Sequence, residues 1–284
     1  MKIGIGLPNQ VRNMNPDVIP SWAEHAEESE FASLTTCGRY AYPGTSDTVA
    51  LAAAAAVTHR IELISGVLLA TTWPASLLAK ELAGIDGLSG GRLTLGLGVG
   101  QRPDDFVAEG HGMRGRGARM DRDVEAYRAI WRGEPVGGGP NPAVPAGARQ
   151  IPMLFGGFTP AAINRMARWG EGYIGASLPA PAVAPLFDTA REAWRKAGRE
   201  GSPRLIALAY VALGDGERGR QDVYDYYETV GGEIAGTITG AVCDSPAKVR
   251  ATISSYAEIG VDEISFNPAT DDPDEVKRLA DVVF

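Results

Sequence analysis

The sequence predicts an α/β protein in which eight parallel strands, each followed by a helix, close into one (β/α)8 TIM barrel over residues 1–284, with a late insertion before the eighth strand. Three observations carry this prediction. Short apolar or β-branched runs alternate with helical stretches along the whole chain. Residues 61–97 read as strand, helix and strand in close succession. The length, 284 residues with 44% hydrophobic side chains, is close to that of one such barrel.

Residues 2–6 form the first predicted strand, followed by a polar turn over 8–16 and a helix over about 17–29. A second strand over 33–37 ends in a loop over 38–46. The helix over 47–58 is almost all alanine and valine, so it can lie close against a sheet. Residues 61–69 are too few to span a membrane and suit a strand buried on both faces. Thr72 offers an N-cap and Pro74 a first-turn proline, and Leu77, Leu78, Leu82, Ile85 and Leu88 follow at helical spacing. Gly90 and Gly91 stop that helix before a strand over 93–97. A unit of this kind closes only as a parallel pair, which puts ligands at the carboxyl ends of the strands.

The polar, Gly- and Arg-rich stretch 101–119 predicts an irregular loop at the mouth of strand four. Val124, Tyr127, Ile130 and Trp131 make a core-facing stripe on a helix over 121–131. A Gly- and Pro-rich crossing loop over 133–150 leads to strand five over 151–155 and a helix over 161–169. Strand six spans 172–176, a helix about 182–198 and strand seven 205–213. The insertion covers 214–244, with an internal helix around 220–229. Ser245 caps a helix whose first residue is Pro246, the eighth strand spans 262–267, and a helix over 273–283 closes the chain.

A formal net charge of -8 argues against binding a phosphate backbone, so no nucleic-acid partner is expected. Cys37 and Cys243 stand far apart and make neither a disulfide framework nor a zinc spacing. The chain opens on a strand, with no charged-then-apolar leader and no membrane-spanning run, so a cytoplasmic location is expected.

Within a barrel, chemistry belongs to residues just past the strand ends. Lys80, Lys196, Lys248 and Lys277 fall on helices and Lys2 at the opposite end, which argues against Schiff-base chemistry. His25, His59 and His111 fall in a helix, a helix end and a loop, which argues against a metal-dependent hydrolase. Gly156 and Gly157 precede Thr159 as N-cap and Pro160 as first helical residue. Backbone N–H groups at such a turn suit an anion, and the same residues suit an ordinary tight strand-to-helix turn. A doubly wound nucleotide-binding fold is the main rival. Its nearest fingerprint, Gly96, Gly98 and Gly100, alternates within a strand and runs into Pro103 where a helix should begin.

The run Ile85-Asp86-Gly87-Leu88-Ser89-Gly90-Gly91-Arg92, followed by the strand to Gly100, resembles the hallmark of the luciferase-like flavin-dependent oxidoreductases. Thr58-His59-Arg60-Ile61-Glu62-Leu63, Gly66-Val67 with Pro74, Asp105-Phe106 with Gly110, Pro152 to Gly157, and Ala257 to Asp262 match in the same order. The resemblance implies a barrel that binds FMN or the deazaflavin coenzyme F420 at its strand ends and acts as an oxidoreductase or monooxygenase on a small organic substrate. It implies a non-prolyl cis peptide at Gly66-Val67 beneath the flavin ring, with Gly98 and Gly100 at the neighbouring strand end. Phosphate-binding segments fall at Gly156, Gly157, Phe158 and Thr159 and at Gly175, Ala176 and Ser177. The expected partners are that substrate and a separate flavin or F420 reductase. A homo-oligomer is a candidate assembly, although no self-complementary patch can be read.

This chain departs from the family at the catalytic positions. Gly38 and Arg39 stand where many members carry an acidic residue and a histidine, and Gln101 stands where the sugar-phosphate branch carries glutamate. Neither guanidinium nor amide takes a proton near neutral pH, so alcohol oxidation is disfavoured. Arg39 and Gln101 are the candidate catalytic residues. Arg39 either stabilises negative charge on reduced cofactor or substrate or pairs with Asp104 or Asp105 at the rim. Cys37 is a substrate contact or a small buried filler. Trp73, Tyr40, Tyr42 and Phe158 are candidate pocket walls, Trp73 equally a lid over the third helix; Tyr224, Tyr226 and Tyr227 suit either a cover or an oligomer contact. Two further readings stay open: a flavin-binding protein without turnover, and a phosphate-ligand barrel isomerase.

Overall fold

A computed structural model describes residues 1–107, 110 and 112–284. His111 lies outside the described residues. The strands are β1 (Lys2–Gly6), β2 (Ser33–Thr36), β3 (Glu62–Ser65), β4 (Leu68–Leu69), β5 (Leu93–Gly98), β6 (Met153–Gly156), β7 (Gly172–Ile174), β8 (Arg204–Val211) and β9 (Glu263–Pro268). All pair in parallel, and β5 pairs with both β3 and β4, which closes the sheet into a barrel. The stretch predicted as one strand over 61–69 is therefore two short segments of a single stave. The cis Gly66-Val67 bond separates them.

The helices are α1 (Val18–Glu28), α2 (Asp47–Val57), α3 (Ala75–Leu88), α4 (Asp104–Val107), α5 (Arg116–Trp131), α6 (Pro160–Trp169), α7 (Ala180–Lys196), α8 (Gly216–Tyr227), α9 (Gly232–Gly240), α10 (Pro246–Glu258) and α11 (Asp274–Val283). Three expectations need correction. Thr72 does not cap α3: it ends a 3-10 turn and its hydroxyl donates to the Leu69 carbonyl at 2.8 Å, leaving Pro74 as N-cap. Leu77 and Leu88 face solvent, because the buried stripe of α3 runs through Leu78, Ala79, Leu82, Ile85 and Asp86. The predicted loop after β5 contains α4 and the start of α5, since Gly115 turns the chain at φ 72° and releases a helix five residues earlier than Asp121.

The barrel interior is layered. Glu62, Arg204 and Glu263 begin β3, β8 and β9, so parallel pairing gathers all three at the amino-terminal end. Arg204 donates to both Glu62 oxygens at 2.7 and 2.8 Å and to Glu263 at 2.6 Å, Thr94 donates to Glu62 at 2.6 Å, and Ser33 donates to Glu263. These bonds compensate charges that would otherwise be costly to bury. Above this floor Ile64, Leu154, Ile174, Ile206 and Leu208 fill the axis.

The Ser-Gly-Gly-Arg motif also works at the floor. Gly90 and Gly91 take φ 68° and 85°, which turn the chain under α3. Arg92 then donates to the carbonyls of Thr58 and Ile61, both at 2.6 Å, and to that of Ser89 at 2.7 Å. The most specific motif in the sequence thus ties α2, β3 and α3 together at the end of the barrel opposite the strand carboxyl ends.

Candidate active site

At the carboxyl end of the barrel, Val67 points its side chain toward the axis and packs on the apolar layer. Glycines make room for it. A Cβ on Gly98 would stand 2.6 Å from Val67 Cγ2, and one on Gly156 3.1 Å from Cγ1. Gly96 faces the Ser65 carbonyl just below. The alternating glycines of β5 therefore serve the bulge at Val67, which removes the grounds for reading them as a nucleotide fingerprint. The Val67 carbonyl and the Asp47 carboxyl fill the space where a side chain at Gly38 would go, so this backbone admits no acidic residue there. Gly100, at φ 71°, lies against the Phe106 ring.

Beside the bulge, β6 and β7 pair with Gly156 opposite Ile174, bringing their two exit loops together. Thr159 caps α6 by accepting from the Ala162 N–H at 3.3 Å, with Pro160 at the first position. The Tyr173 hydroxyl donates to the Gly157 carbonyl at 2.8 Å and fixes the turn. Among the described residues, no hydrogen bond engages the N–H groups of Gly157, Phe158, Thr159, Ala176 or Ser177. Five donors without a partner among the described residues thus lie in two adjacent loops, the kind of backbone groups that suit a phosphate. Phe158 projects outward at 51% exposure. Gly175 is used for packing: its N–H donates to Ile206 and its open face meets Phe187.

The insertion roofs the mouth. From α8 the chain continues through a 3-10 turn, Glu228–Val230, into α9. Tyr226 is the centre of the contact. Its carbonyl accepts from Arg39 at 3.1 Å and from Arg102 at 3.3 Å, and its hydroxyl donates to the Gly38 carbonyl at 3.3 Å. Arg39 also donates to Asp104 at 2.7 Å and stands 3.9 Å from Asp105, with its side chain 3% exposed. Asp105 in turn accepts the N–H groups of Tyr40 and Ala41. Both rim pairings considered for Arg39 are therefore made at once, and Tyr42 and Tyr226 flank its guanidinium. Tyr227 and Tyr210 share a hydroxyl hydrogen bond of 3.2 Å, and the Cys37 thiol lies 3.9 Å from the Tyr210 hydroxyl. Gln101 and Tyr40 are exposed at the rim, Tyr224 is exposed on the insertion, and Trp73 packs against the outer core.

Burial sets the protonation of this cluster. It pushes the Cys37 thiol up to about 12, against the pull of the Tyr210 hydroxyl and Arg102. The phenols of Tyr210, Tyr226 and Tyr227 are likewise raised by burial. Asp47, buried with the Thr36 hydroxyl beside it, is pushed up to about 7. Thiol and phenols thus keep their protons at neutral pH, and the roof offers cations, donors and ring faces. Among the described residues, no group of three or more His, Cys, Asp or Glu side chains is placed to hold a metal ion. Arg102, although within the strand-end stretch 98–105, and Tyr210 were not singled out from the sequence. Their positions just past β5 and near the end of β8 were the available signal, but residue type alone did not separate them from rim arginines and core tyrosines.

Comparison with known proteins agrees with this geometry. Two uncharacterised proteins of Mycobacterium tuberculosis are similar in sequence. One is 34% identical over 169 residues, covering 56% of this chain and 60% of that protein; the other is 30% identical over 182 residues, covering 53% and 63%. The chain thus spans less than two thirds of the length of these curated relatives. Among solved structures, monooxygenase RslO1 from Streptomyces bottropensis superposes with a TM-score of 0.78 at 27% identity, covering 99% of this chain and 97% of that one. An F420-dependent secondary alcohol dehydrogenase, solved with an F420-acetone adduct, gives 0.80 at 14% identity, covering 100% and 98%. The oxygenating constituent of 3,6-diketocamphane monooxygenase from Pseudomonas putida, a type II Baeyer-Villiger monooxygenase solved with FMN, gives 0.76 at 16%, covering 100% and 96%. The last two share the fold. Residues 1–235 match the profile of the luciferase-like monooxygenases, and the chain belongs to that family.

Proposed function

We propose that this protein is an oxidoreductase that uses FMN or F420 to reduce, oxidise or oxygenate a small organic substrate, with reduced cofactor supplied by a separate reductase. The observation that carries the reading is the pairing of the Val67 bulge with the five unengaged N–H groups of the loops after β6 and β7. Val67 and its glycine neighbours would back a flat ring system. The N–H groups of Gly157, Phe158, Thr159, Ala176 and Ser177 would hold the phosphate. The bound cofactor supplies the redox chemistry; the chain positions it, excludes water and sets the local charge.

None of the roof's own groups takes a proton at neutral pH, because its thiol and phenols stay protonated and its arginines cannot act as bases, and the Asp47 carboxyl, at about 7, is buried against Gly38. Alcohol oxidation fits this poorly. The same feature favours the second reading, a cofactor-binding protein without turnover.

The test is a titration of the purified chain with FMN, riboflavin and F420, oxidised and reduced, followed by fluorescence. Thr159→Asp keeps the helix cap but places a carboxylate at the phosphate edge. The expected result is that one phosphorylated cofactor binds, that riboflavin binds at least about tenfold less tightly, and that Thr159→Asp removes the difference. Failure of FMN and F420 to bind in either redox state would overturn the reading. Oxygen uptake or substrate reduction by the loaded protein then separates turnover from storage.

A further inference from the structure

Arg102 is only 7% exposed, yet among the described residues no carboxylate stands within ion-pairing distance of it. Its neighbour Arg39 has Asp104 and Asp105; among the described residues Arg102 has one hydrogen bond, to the Tyr226 carbonyl, and a buried Nε with no partner. The rings of Tyr226 and Tyr227, 4.7 and 5.3 Å from its guanidinium carbon, hold the group in place. The thiol and phenols around it are neutral; among the described residues the carboxylate that acts on it, Asp105, stands beyond ion-pairing distance and is shared with Arg39. A buried cation with no paired anion is costly, and this one is built in rather than left to swing free.

The second observation is a cavity of about 310 Å³ between α7, α9 and α10. Leu178, Leu208, Tyr210, Ile238 and Ala251 give it mainly apolar walls, Ser177 and Thr252 add hydroxyls, and its one lysine, Lys248, is paired with Asp244. The volume is at the lower end for small-molecule sites. Tyr210 belongs to the cavity and to the cluster around Arg102, and Tyr227, hydrogen-bonded to Tyr210, packs on the Ile238 side. Arg102 does not line the cavity; Tyr210 lines it, and Tyr227, which packs on Arg102, is bonded to Tyr210, so these two tyrosines link the cavity and the cation.

We propose that the substrate is an organic anion with a compact apolar body: the body fills the cavity between α7, α9 and α10, and a carboxylate or phenolate lies on Arg102. The anionic oxygen replaces the Tyr226 carbonyl as acceptor, and Tyr227 turns aside. Only the word substrate rests on the oxidoreductase reading; the binding itself is independent of cofactor.

The experiment therefore uses the cofactor-free full chain, titrated with 4-isopropylbenzoate and with its neutral isostere 4-isopropylbenzamide, following tyrosine fluorescence and ligand-observed NMR. The benzoate is expected to bind at least about tenfold more tightly than the amide. Arg102→Gln should bring the benzoate down to the amide's affinity without changing the amide, and Arg102→Lys should restore part of the difference, because it keeps the charge and loses the fork. Ile238→Trp should weaken both ligands. Equal affinities in the wild type, no binding of either ligand, or an Arg102→Gln variant that binds benzoate normally would each overturn the proposal. A loss confined to the preference for FMN over riboflavin in Arg102→Gln, with benzoate binding intact, would assign the arginine to the cofactor's phosphate and overturn it too. Failure of the wild type to bind FMN or F420 would remove the oxidoreductase reading and leave the anion result standing.

Discussion

Asp47 shows how one buried group makes stability depend on pH. Burial pushes its carboxyl from the ordinary 3.8 up to about 7, so between these values the folded chain holds a proton that the unfolded chain has released. The contribution is fully present below about pH 4 and is lost as pH rises through 7, by up to about 1.4 kcal/mol per pH unit. Asp47→Asn should abolish it. Melting temperatures measured from pH 4.5 to 8 should therefore fall with pH in the wild type relative to the variant; parallel curves would show that the carboxyl is already charged. The residue also explains a departure from the family. With the Asp47 carboxyl and the Val67 carbonyl occupying its space, position 38 is glycine for a local steric reason that no single-sequence reading exposes.

The next scale is the stave formed by β3, the bulge and β4. Gly98→Ala would press a methyl against Val67 Cγ2 at 2.6 Å, and a β-branched side chain cannot turn away cheaply. A loss of about 1–3 kcal/mol is expected in urea denaturation, largely recovered in the Gly98→Ala/Val67→Ala double variant. Strict additivity of the two substitutions would dispose of the glycine socket. Elements of this kind were partly legible in the sequence. The strands, the α6 cap at Thr159 and the α10 cap at Ser245 could be read because their signals are local: periodicity, a capping oxygen, a proline at the first turn. The true start of α5 and the outward turn of Leu77 and Leu88 could not, because tertiary packing chooses among faces that are locally equivalent. The roof was least legible. Arg39, Arg102 and Tyr226 meet across more than a hundred residues, and only closure of the barrel puts them together.

At the scale of the whole molecule, buried charge stands at both ends of the barrel and is held differently at each. At the floor every member of the Arg204, Glu62 and Glu263 group is paired. Arg204→Met would leave two carboxylates facing each other, one of them with a side chain 1% exposed, and should cost about 3–5 kcal/mol. Adding Glu263→Gln should recover part of this in chemical denaturation, with ligand affinity of the folded fraction unchanged; a neutral single variant would mean that the floor is structurally idle. At the mouth Arg39 is paired with Asp104 and Asp105, while Arg102 beside it has no carboxylate within ion-pairing distance among the described residues.

The sealed floor has a consequence for traffic. With the ion cluster below and the apolar layer of Ile64, Leu154, Ile174, Ile206 and Leu208 above it, the axis is blind at one end. Whatever binds at the strand ends therefore arrives and departs on the side of the barrel opposite this floor. A ligand seated deeper along that axis would have to bind before one seated above it and leave after it, whereas the cavity between α7, α9 and α10 lies to the side and is free of that order.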